Sequence, residues 1–77
     1  MNIEDFIDKF AGLFDETPRD RFSPEAEYKE FDEWSSLIAL SIIAMVDDEY
    51  GVALKGDDIK NARTIKDIFD IVTTQKK

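Results

Sequence analysis

The segment "SLIALSIIAMVDDEY", from Ser36 to Tyr50, constrains this chain more than any other stretch. It contains no proline or glycine, and its apolar residues continue too long for a strand of a small domain, so it reads as a helix. Gly51 follows directly, where glycine commonly ends a helix. Two adjacent serines, Ser35 and Ser36, stand at its start. Its first two turns are apolar nearly all round, and its acids are confined to Asp47, Asp48 and Glu49.

At about 100° per residue, Ala39, Ile42, Ile43, Val46 and Tyr50 fall on one side, which is the expected core face. Leu37, Leu40, Ser41, Ala44 and Asp48 fall roughly opposite, with Ile38 and Met45 on the flank. A surface helix is ordinarily polar there. Two readings follow. Either the long segment before Ser36 folds over these residues and hides them, since exposed apolar patches are normally small, or part of the patch docks partner proteins. An apolar centre with a charged rim is common interface anatomy.

Three other segments complete the chain. Ile3, Phe6, Ile7, Phe10, Leu13 and Phe14 recur at helical spacing, with Asn2 as the cap and Glu4 and Asp5 suiting the helix dipole. The stretch "DETPRDRFSPEAEYKEFDEW" holds both prolines and reads as a loop, anchored by Phe22, Tyr28, Phe31 and Trp34, because long unanchored loops are rare in small domains. Beyond Gly51, one short helical turn fits around residues 57–61 with Ile59 inward, and a last helix opens at Thr64, with Asp67 where a capping box prefers Glu. Ile65, Ile68, Phe69 and Val72 form its buried stripe. No stretch sustains strand alternation. The expected fold is all-α, a single domain over residues 1–77 with three main helices and one short one.

The chemistry open to such a chain is limited. Among 77 residues there is neither cysteine nor histidine, so disulfides, thiolate chemistry and the usual general base are all missing. Asp47 and Asp48, as sequence neighbours, point to different flanks of a helix and do not converge on one substrate, which argues against an enzyme. Asp32 and Glu33 with Asp57 and Asp58 could hold a divalent cation loosely, but no calcium-loop spacing is present, and no metal site is expected. Eighteen acids against ten bases give a net charge of −8, which disfavours nucleic acid and anionic lipid as partners and favours basic protein surfaces. With no membrane-length apolar run and no basic-then-apolar leader, the expectation is a soluble, cytoplasmic domain.

A Ser-Ser pair at a helix start reads, by itself, as a cap. Its surroundings say more. "DEWSSLIALSIIAMVDDEYGV" resembles the acyl carrier protein family around its prosthetic-group site: a Ser-Leu pair opens an apolar helix, acids follow, and an aromatic residue lies fourteen positions after the serine. Tyr50 places that serine at Ser36, with Leu37 next. The similarity extends through "SPEAEYKEFDEW" and "TIKDIFDIV" and so covers most of the chain.

The resemblance implies a monomeric, stand-alone carrier that catalyses nothing itself. A holo-carrier synthase (a phosphopantetheinyl transferase) would move 4′-phosphopantetheine from coenzyme A to the Ser36 hydroxyl. The arm's thiol would then hold acyl groups for fatty-acid, polyketide or similar synthesis. Ser35, Leu37, Ile38, Leu40, Ser41, Ala44, Asp47 and Asp48 would meet the transferase and the synthase enzymes, whose docking surfaces would be basic and apolar. The chain departs from the family in having Ser35 where an Asp usually precedes the serine, and Ile38 and Ser41 where acids usually follow. Only Asp47 and Asp48 match the family's acidic recognition positions. The alternative is an unmodified, carrier-like helical module that binds partners through the Leu37–Leu40 patch.

Overall fold

A computed structural model describes residues 2–75. Helix α1 spans Ile3–Ala11, α2 spans Ser36–Tyr50, α3 spans Gly56–Asn61 and α4 spans Ile65–Gln75, and no strand occurs among the described residues. This is the expected set of three longer helices and a short one. The segment between α1 and α2 carries two short 3-10 turns, Arg19–Arg21 and Tyr28–Glu30.

Helix α1 begins where Asn2 accepts the Glu4 and Asp5 N–H groups at 2.7 and 3.4 Å. It ends at Ala11, earlier than its apolar spacing suggests. The Leu13 and Phe14 N–H groups bond back to the Phe10 and Ala11 carbonyls, so the chain continues in tight turns that still bury Phe14. Phe6, Ile7 and Phe10 are buried on α1, Ile42 and Val46 on α2, Ile59 on α3, and Ile65, Ile68 and Val72 on α4. Burying a side chain of this size stabilises by about 1.5–3 kcal/mol, so this shared interior dominates the fold. The radius of gyration is 11.2 Å, close to the ~11.5 Å of a well-packed chain of this length.

Aromatic rings carry the core out to the long loop. Phe10 contacts Phe14, Phe22 and Tyr28 at centroid distances of 5.8, 6.5 and 5.5 Å, and Phe22 contacts Phe31 at 5.1 Å. Tyr28 contacts Trp34 at 5.1 Å, edge to face. All four expected anchors therefore hold the loop, with Phe22 and Tyr28 buried and Phe31 and Trp34 half-buried. Arg19 adds a tie from the loop to α1, donating from Nη2 to Asp8 Oδ1 at 2.6 Å.

The loop also completes α4. Ile65 and Lys66 donate their N–H groups to the Ala26 and Pro24 carbonyls at 3.1 and 2.9 Å. Thr64 Oγ1 accepts from the Asp67 N–H at 3.1 Å, and Asp67 Oδ2 accepts from the Arg63 and Thr64 N–H groups at 3.0 and 3.1 Å. Asp67 thus closes the capping box, and these backbone donors, Arg63 first, hold its carboxyl below its usual range.

Candidate functional site

The two serines have different positions. Ser35 is the N-cap of α2, with extended backbone (φ −160°, ψ 170°) and a side chain that accepts the Ile38 N–H at 3.3 Å. Ser36 is the first helical residue and is exposed. Its hydroxyl has no hydrogen-bond partner among the described residues. The Ser36 and Leu37 N–H groups lie in the first turn, where helix geometry supplies no partner, and that turn contains no acid. At α4 the loop carbonyls fill the equivalent positions; at α2 nothing among the described residues does. The start of α2 therefore offers an open hydroxyl beside free N–H groups and the positive end of the helix dipole, where a phosphate is favoured.

Leu37 and Leu40 are 73% and 62% exposed. The long loop does not cover them, because its aromatic anchors turn inward toward α1 and Tyr28. Of the two readings of the apolar face, the one in which the loop hides it does not hold at Leu37 and Leu40. Leu37, Leu40, Ala44 and Asp47 follow one another at three- and four-residue spacing, so they form one stripe leading away from Ser36. Asp47 and Asp48 are exposed at the far end, about 16 Å along the axis. They and Glu49 form no ion pair among the described residues, although they sit at the negative end of the helix dipole, where carboxylates are disfavoured.

Two of the expected contact residues are less exposed than Leu37 and Leu40. Ile38 packs against the core: it lies four residues before the fully buried Ile42 and shares its face. Ser41 is half-buried at the edge of a shallow open groove of about 530 Å³, lined also by Leu13, Ala44, Met45, Asp47 and Asp48. Leu13 belongs to this surface as well as to α1's apolar set. Helix α1 ends at Ala11, before Leu13, and Leu13 lines the groove beside α2.

The suggested cation site does not assemble. Glu33 is taken up by backbone amides of residues 15–17, and Asp58 Oδ2 accepts the Lys55 N–H at 2.9 Å. Among the described residues no three carboxylates are grouped to hold a metal ion, and no helix is long and apolar enough to cross a membrane. Comparison with models of known families, with curated proteins and with solved structures found no match to this chain.

Proposed function

We propose that this chain is a carrier protein with the acyl-carrier-like bundle, and that Ser36 is the attachment point for 4′-phosphopantetheine. The observation that carries the proposal is the division of labour between the serines: Ser35 is engaged as the cap, and Ser36 presents an unengaged, exposed hydroxyl at the helix start. The surroundings fit the group. Free N–H groups of the first turn and the helix dipole favour a phosphodiester on Ser36, and no first-turn acid opposes it. The bound arm would supply a terminal thiol that holds acyl groups as thioesters. The protein's own residues do the rest: Ser36 provides the oxygen, Ser35 keeps the helix start in place, and the Leu37–Leu40–Ala44 stripe with Asp47 and Asp48 receives the transferase and synthase enzymes.

The exposure of Leu37 and Leu40 also favours a second reading, a helical interaction module that is never modified. Loading separates the two. Incubation with coenzyme A and a promiscuous phosphopantetheinyl transferase should add one arm to the wild-type chain and to Ser35→Ala, and none to Ser36→Ala. Ser36→Ala should stay folded, because it leaves the Ser35 cap intact. Loading of Ser36→Ala but not Ser35→Ala would move the site by one residue. Absence of loading with every transferase tried would leave the interaction module as the better account.

A further inference from the structure

Glu33 lies three residues before Ser36, yet its carboxylate reaches back 16 to 18 residues along the chain. Oε2 accepts the Asp15 N–H at 2.6 Å, and Oε1 accepts the Glu16 and Thr17 N–H groups, both at 3.0 Å, and the Thr17 hydroxyl at 2.9 Å. Three successive amides turned onto one anion form a backbone nest, here filled by the protein's own side chain. The next residues leave little freedom. The Trp34 N–H donates to the Phe31 carbonyl at 3.0 Å, the Trp34 ring packs on Tyr28, and Ser35 caps α2.

We propose that Glu33 is a positioning residue for the start of α2: its carboxylate clasps the turn after α1 to the segment that leads into Ser35 and Ser36, and so sets the attitude of the attachment serine. The clasp rests on geometry alone; its consequence for modification rests on the function proposed above. Only an ionised carboxylate suits the four donors, since its two oxygens are both acceptors. The open depression around it is lined by Glu16, Glu30 and Asp32 and by the cation Arg21, and Asp15 adjoins as one of the donors. Desolvation works to raise the Glu33 carboxyl, but its hydrogen bonds to Glu16, Thr17 and Asp15 outweigh that and hold it below the usual glutamate range.

Glu33→Gln tests the idea with little change of shape: it keeps one carbonyl oxygen and turns an NH2 donor onto amides that also donate. Hydrogen exchange of the full chain, residue by residue, and steady-state loading with coenzyme A and a transferase would be measured on wild type, Glu33→Gln and Glu33→Ala. Exchange at the Glu16 and Thr17 amides should accelerate by about tenfold or more, as loss of charge-assisted hydrogen bonds implies. The Ile38 amide should also lose protection, while the Asp67 amide, capped by Thr64, keeps it. Loading should slow, less in Gln than in Ala, at temperatures where all three are folded. Unchanged exchange at residues 16 and 17 would show that there is no clasp. Faster exchange there, with the Ile38 amide and the loading rate unchanged, would reduce Glu33 to a loop staple and overturn the positioning role. If even wild type never loads, the proposed function fails, and the Ile38 amide still decides whether Glu33 sets the start of α2.

Discussion

Replacing Tyr28 with Phe removes a single oxygen from the centre of the molecule. That hydroxyl donates to the Ile59 carbonyl at 2.8 Å and lies 3.4 Å from the Ala62 carbonyl. In a longer helix the Arg63 N–H would reach Ile59, but it donates to Asp67 instead. Tyr28 is therefore the donor that satisfies the Ile59 carbonyl, while Lys29 Nζ donates to the Lys60 carbonyl at 2.7 Å. The ring contacts to Phe10 and Trp34 survive in Phe, so the loss is confined to the polar group. A buried acceptor left unpaired costs about 1–3 kcal/mol. At about 4–8 °C per kcal/mol for a domain of this size, the melting temperature should fall by about 4–24 °C in thermal unfolding followed by circular dichroism. The alkaline side reads the burial of the same hydroxyl. Burial first, and the Asp67 charge second, push the Tyr28 hydroxyl from 10.0 up to about 12. A folded value above the unfolded one means that this stabilisation is whole below pH 10 and is lost as pH rises toward 12. Tyr28→Phe should flatten that alkaline limb. A melting temperature within about 2 °C of wild type, well inside the fall expected for a lost buried hydrogen bond, would refute the reasoning, because the two carbonyls would then have another donor.

Other outcomes follow from the same geometry. Trp34→Ala should destabilise by about 2–4 kcal/mol, below the full-burial range because the ring is half-buried; unchanged stability with failed modification would put Trp34 on the functional surface. Leu37→Ser with Leu40→Ser should leave the melting temperature within a few degrees, since both side chains are exposed, while weakening transferase binding in a titration; a large loss of stability would mean that the patch is covered. Transferase affinity should fall only shallowly from low to high salt, because the stripe beside Ser36 is apolar and charge enters only at Asp47 and Asp48; a steep loss would contradict the apolar docking surface.

The parts of this fold that were legible in the sequence are those set by neighbours in the chain. The Asn2 cap, the limits of α2 between Ser35 and Gly51, and the Thr64–Asp67 box each depend on residues within one helical turn of each other. Gly51 adopts φ 68°, the left-handed conformation that favours glycine at a helix end. Which serine caps and which lies open could be framed from sequence but required the backbone angles of Ser35 to decide. Ile38 and Met45, on the flank of α2 by helical spacing, are both half-buried against the core, as that position implies. Glu33 could not be recognised, because three of its four donors are backbone amides, which leave no mark in the side-chain pattern. The same holds for the Pro24 and Ala26 carbonyls that complete α4.

The central claim, that Ser36 carries a phosphopantetheine arm, is tested most directly by the intact mass of the chain isolated from its own host, with fragmentation to map the modified residue. The expected result is a population bearing one phosphopantetheinyl group, lost on phosphodiester cleavage and mapped to Ser36. An unmodified chain, or a group mapped to Ser35, would contradict it.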